Sequence, residues 1–133
     1  MFEEVGELLG QLIIFFYVLT ILDYILKFIN RKFRKEIKKY DVINTWYNKI
    51  LKIIVTKHKW FGFLTVVFII AHFLIQFSDN GLSLTGSVAA LAMLFQVLLG
   101  IYGTYIIKRG KMWLYLHRTI SVIILIAILI HTA

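Results

Sequence analysis

The chain contains no cysteine and no proline among its 133 residues. Without thiols there is no disulfide, no thiolate-held iron–sulfur cluster and no zinc–thiolate site. Without proline, no residue forces a kink or a break in a helix. Acidic residues are few, seven Asp and Glu against fifteen Lys and Arg, for a formal net charge of +8. A basic balance of this kind raises a nucleic-acid partner as a first thought, and the placement of the charges then argues against it. Polar residues are scarce as well. Sixty per cent of the residues are apolar, above the usual share for a soluble domain, and a soluble core of this size cannot hide that much apolar surface.

What the sequence does have is long apolar runs. Leu8 to Ile29 is broken only by the charged Asp23 and Lys27, and Trp60–Phe77, Leu82–Ile107 and Met112–Ala133 follow. Each is near the ~20 residues a helix needs to cross ~30 Å of hydrocarbon. The pattern predicts an all-α integral membrane four-helix bundle, a single domain over residues 1–133, with transmembrane helices at about 8–29, 57–77, 82–107 and 111–133. The first run is expected to be a mature helix, because its start, Met-Phe-Glu-Glu-Val-Gly-Glu, is acidic where a signal peptide is basic. Ser-Asp-Asn-Gly at 78–81 is turn chemistry, and Lys-Arg-Gly-Lys at 108–111 reads as a tight basic turn. Short loops make successive helices antiparallel neighbours, so helices two and four run in the same direction.

Eleven basic residues lie between Lys27 and Lys59, and the other four are Lys108, Arg109, Lys111 and Arg118. The turn at Ser78–Ser83 has none, nor does the chain before helix one or after helix four. With four crossings, both basic regions fall on one side, which is the positive-inside pattern. This predicts a multi-pass protein of the plasma (inner) membrane with both termini outside and the basic loops in the cytoplasm. Topology alone explains the charge, and no nucleic-acid partner is expected.

The first loop has a pattern of its own. Val42, Ile43, Trp46, Tyr47, Ile50, Leu51 and Ile54 recur at helical spacing, with lysines largely between them. They predict an additional amphipathic interfacial helix in the first cytoplasmic loop, running into helix two and anchored to anionic membrane lipid. Docking of a cytoplasmic partner is the alternative. Asp23 and Lys27 are spaced for an i,i+4 ion pair, favoured over a proton or quinone site at Asp23. Helix three is rich in small residues, as close helix packing requires.

The four histidines are His58, His72, His117 and His131, and within each pair the spacing is fourteen residues. Fourteen residues turn a helix through about 1400°, about 40° short of four turns, and raise it by about 21 Å. Both members of a pair therefore lie on one face, one toward each membrane surface. On parallel helices His58 can face His117 near the cytoplasmic side, and His72 can face His131 near the outer side. Each facing pair can supply two axial imidazoles to one haem iron. Packing histidines without a cofactor are the plainer alternative, but intramembrane ionisable residues are functional by default, and both spacings agree. A zinc or di-iron site would gather four ligands within a few ångströms, which this spacing does not offer. Gly62 and Ser121 each stand four positions after the cytoplasmic-side histidine, leaving room beside a flat ligand. Gly86 and Gly100 on helix three are again fourteen apart and permit close approach. Lys57, Lys59, Lys111 and Arg118 flank the cytoplasmic-side pair and can meet propionates.

Two helices that each carry His, thirteen residues, His resemble the di-haem four-helix core of cytochrome b from quinol oxidoreductases. Hydrogenase b-type cytochrome subunits and ferric-reductase-like transmembrane domains are similar, as is the stretch Trp113-Leu-Tyr-Leu-His117-Arg118 that leads to His131. The resemblance covers roughly Lys57 to Ala133. It implies two haem b groups, ligated by His58 with His117 and by His72 with His131, with Gly86 and Gly100 as haem-facing glycines. It implies transmembrane electron transfer, with a redox partner protein or quinol as donor, quinone as a candidate further cofactor, and assembly into an oligomer or larger complex. An electron-transfer subunit is favoured over a self-sufficient enzyme. A quinol-dependent membrane reductase and a haem-free anchor or assembly protein are the alternatives.

Overall fold

In a computed structural model, which describes residues 2–107 and 109–133, the protein is all-helical. The elements are α1 (Phe2–Lys38), α2 (Asp41–Asn80), α3 (Leu84–Tyr105) and α4 (Lys111–Thr132). Each contains a stretch long and apolar enough to cross a membrane. Few residues of these stretches are buried, and large apolar side chains such as Leu91, Leu98, Ile126 and Leu129 are more than half exposed. Exposed apolar faces of this extent are stable against lipid, not water. The protein is therefore a multi-pass membrane protein in contact with lipid.

Two helices exceed the expected spans. α2 has 40 residues, a length of about 60 Å, twice the ~30 Å of hydrocarbon. Its first third is the amphipathic stretch from Val42 to Ile54, which forms no element of its own. The reason is local. No proline or glycine stands between Tyr40 and Phe61, so nothing interrupts the backbone ladder. α1 likewise runs on to Lys38, with non-helical dihedrals at Phe33. The loop expected between helices one and two shrinks to Lys39–Tyr40, closed by the amides of Lys39 and Tyr40 on the carbonyls of Glu36 and Ile37.

The remaining ends follow ordinary capping chemistry. Gly81 has φ +77°, the left-handed conformation in which glycine ends a helix without strain, and its amide reaches the carbonyl of Phe77. Ser78, Asp79 and Asn80 thus belong to α2, and only 81–83 connect it to α3. The Ser83 hydroxyl caps α3 by accepting from the Gly86 amide. Arg109 and Gly110 precede α4, and Lys108 of the expected basic turn lies outside the described residues.

The chain divides into two compact units, residues 1–10 with 66–133, and residues 11–65. In the first, α3 packs against α4. There Trp113 donates its indole N–H to the Leu99 carbonyl at 2.9 Å, and the buried Gln96 donates to the His117 carbonyl at 2.7 Å. In the second unit α1 and α2 form an antiparallel hairpin. Tyr47 donates its hydroxyl to the Leu26 carbonyl, Asp23 meets His58, and the rings of Phe16 and Phe61 lie 6.4 Å apart. The face Tyr47–Ile54–His58–Phe61, at helical spacing, is what α2 presents to α1.

Candidate functional site

All four histidines are half-buried on helices. His72 and His131 belong to the first unit and come together there, with ring centroids 6.4 Å apart and planes at 85°. A metal–imidazole bond is about 2 Å long, and a ring nitrogen lies about 1.1 Å from its own centroid. Two imidazoles trans on one metal ion therefore have centroids about 6 Å apart, and their planes can turn freely about the shared axis. The observed centroid spacing is close to that value.

The second nitrogen of each ring is held. His72 Nδ1 lies 2.9 Å from the carbonyl oxygen of Gly6. A carbonyl only accepts, so Nδ1 carries a proton, and in the neutral ring the lone pair then lies on Nε2. This is how proteins orient metal-ligating histidines. His131 Nδ1 lies 2.9 Å from the hydroxyl of Thr85, which can accept the Nδ1 proton in the same way. Gly86 sits directly beside the His131 ring. A Cβ there would stand 3.0 Å from Cε1 and 3.4 Å from Nε2. Gly10 keeps the neighbourhood of His72 open, where a Cβ would be 3.6 Å from Cε1. Gly86 thus keeps a side chain away from the Nε2 edge of His131, while Gly10 lies on the Nδ1 side of His72.

His117, also in the first unit, is framed by α3 and by its own helix. The Trp113 ring stacks on it at 4.9 Å and 13°. A Cβ on Gly100 would meet its Cε1 at 3.9 Å, ordinary contact. Arg118 follows it on α4, half-buried. The indole of Trp113 is itself fitted against Gly103, where a Cβ would fall 2.2 Å from the ring.

His58 belongs to the second unit. Its Nδ1 lies 3.5 Å from Asp23 Oδ2, and the other oxygen of that carboxylate is 2.7 Å from Lys27 Nζ. The expected i,i+4 pair is therefore present, and it extends to a histidine across the hairpin. Around Gly62 a Cβ would meet nothing within 4 Å. Lys57, Lys59 and Lys111 are exposed.

The residues that the histidine spacing could not reveal are the partners: Gly6, Gly10, Thr85, Asp23 and Trp113. Of these, the sequence pointed only to Asp23, through its spacing to Lys27, and to Trp113, in the stretch that leads to His117. Among the described residues, no three of histidine, aspartate and glutamate gather to hold a bare metal ion. A haem iron needs only two axial ligands from the protein, so this absence does not bear on a haem. No family model, curated protein or solved structure matches this chain.

Proposed function

We propose that this protein is a b-type membrane cytochrome, passing electrons across the plasma (inner) membrane through two bis-histidine haems as a subunit of a larger oxidoreductase. One observation carries the reading. His72 and His131 stand 6.4 Å apart, and the Nδ1 of His72 is committed to the Gly6 carbonyl. Two unconnected packing histidines need neither the spacing nor the held tautomer. The matched fourteen-residue spacing of both pairs supports it independently.

In this reading His72 and His131 are the axial ligands of one haem b, and His58 and His117 those of the other, the latter pairing resting on spacing alone. When bound, haem supplies the one-electron chemistry. The chain supplies orientation, through Gly6 and Thr85 on the ring nitrogens, and room, through Gly86, Gly100 and Gly62. Arg118, with Lys57, Lys59 and Lys111, offers cations to the propionates of the His58–His117 haem. The four spans form a bundle with both termini outside. The amphipathic beginning of α2 passes through the cytoplasmic interface as an extension of that helix, with Val42, Ile43 and Trp46 among the headgroups. A redox partner protein or quinol delivers the electrons.

The test is a visible spectrum of the purified chain, oxidised and then reduced with dithionite, with haem counted per chain. Two low-spin b haems are expected, and His72→Ala and His117→Ala should each lose one. A chain that takes up no haem in haem-sufficient cells overturns the reading and leaves a haem-free membrane anchor.

A further inference from the structure

The ring planes of His72 and His131 cross at 85°, and each ring is held by a different helix. The Gly6 carbonyl on α1 accepts from His72 Nδ1 at 2.9 Å. Gly6 lies close against α2, where a Cβ would stand 2.8 Å from Gln76 Nε2. On the other ring, His131 Nδ1 lies 2.9 Å from the Thr85 hydroxyl. Thr85 stands in the first turn of α3, with its hydroxyl 3.3 Å from Ser83 Oγ, the oxygen that accepts from the Gly86 amide. Gly86 passes beside the Cε1–Nε2 edge of the same ring. His131 itself stands in the last turn of α4, where chain ends fray. Its ring is therefore turned by what α3 offers it.

We infer that Thr85 is a positioning residue for His131: by holding Nδ1 it keeps the two imidazole planes crossed, and the haem that His72 and His131 ligate is a strongly anisotropic low-spin centre. The inference rests on the haem reading above and concerns that one haem. Its physical basis is general. An axial imidazole donates π density perpendicular to its own plane, into one of a pair of iron d orbitals. Parallel rings load the same orbital and separate the pair in energy, which gives a well-resolved rhombic ferric spectrum. Crossed rings load one orbital each and leave the pair nearly equal, which gives one dominant low-field feature. A ligating imidazole can turn about its metal–nitrogen bond, and a hydrogen bond on the far nitrogen fixes the angle. Such bonding around the ligands is one of the protein's levers on a haem. Here the two holds come from α1 and α3, so the crossing angle is set by how those helices meet α2 and α4.

The test is low-temperature electron paramagnetic resonance of the full haem-loaded chain in detergent, oxidised, on wild type, His72→Ala, Thr85→Val and Thr85→Ser. Wild type should show a strongly anisotropic low-field signal that His72→Ala abolishes, which assigns it to this haem. Valine keeps the shape of threonine and removes the hydroxyl. Thr85→Val should convert that signal into a rhombic one, with haem count and helix content unchanged. Thr85→Ser keeps the hydroxyl and should keep the anisotropic signal. A purely structural role for Thr85 would cost haem or helix content without converting one signal into the other. A rhombic wild-type signal from the haem that His72→Ala removes overturns the inference while the haem reading stands, and so does an anisotropic signal unmoved in Thr85→Val. Should Thr85→Val fail to fold, Thr85→Ala carries the same outcomes. A wild-type chain without haem sinks the haem reading and this inference with it.

Discussion

Single residues set how closely the helices and rings approach, and glycine is the residue that permits it here. Gly103 is buried, and a Cβ on it would fall 2.2 Å from two atoms of the Trp113 indole. The indole cannot easily retreat, since its N–H is bonded to the Leu99 carbonyl and its ring stacks on His117. Gly103→Ala should therefore destabilise the protein by about 1–3 kcal/mol, the usual cost of overpacking. A lowered thermal midpoint in detergent, followed by circular dichroism, would show it. Gly86→Ala probes the proposed site more directly. Its Cβ would stand 3.0 Å from His131 Cε1, so the ring must shift by a few tenths of an ångström. The expected outcome is loss or weakening of one haem with helix content unchanged. Two haems retained with an unaltered spectrum would separate Gly86 from that site.

At the scale of elements, α3 and α4 are joined by polar contacts between apolar faces. Gln96 is buried, and its amide donates to the His117 carbonyl at 2.7 Å. Gln96→Leu preserves volume and removes the bond, so it should cost about 1 kcal/mol, read as a lower denaturant midpoint. The four helices and their apolar centres were legible from run length and the missing proline. Their ends were not. An amphipathic pattern from Val42 to Ile54 looks the same whether the helix lies alone or continues into a span, and what decided was the unbroken backbone into Phe61. The fourteen-residue period pointed to His72 facing His131, and those two rings do come together. Their partners were hidden, because Gly6 lies sixty-six residues from His72 and Thr85 forty-six from His131, and no local pattern encodes contacts at that distance. Asp23 shows the limit most plainly: its spacing to Lys27 is local and readable, while its approach to His58 exists only once α1 and α2 pair.

For the whole molecule, the decisive asymmetry is charge. Every lysine and arginine lies in one of two regions, Lys27–Lys59 and 108–118, and the turn between α2 and α3 has none. In the proposed orientation four crossings place those two regions on the inner side, where a negative leaflet attracts them at about 1 kcal/mol per basic residue near the surface. The absence of cysteine makes this orientation unusually easy to examine, since any introduced thiol is the sole one. Lys39, in the turn before α2, and Asp79, in the last turn of α2, are both exposed. The Lys39 side chain makes an exposed ion pair with Glu36, which contributes little, so its replacement should leave the fold undisturbed. In intact cells, a membrane-impermeant maleimide should label Asp79→Cys and spare Lys39→Cys. Opening the membrane should then expose Lys39→Cys as well. Labelling of Lys39→Cys from outside would invert the orientation, and would put the more basic surroundings of His58 on the outer face, against the direction in which such charge is normally retained.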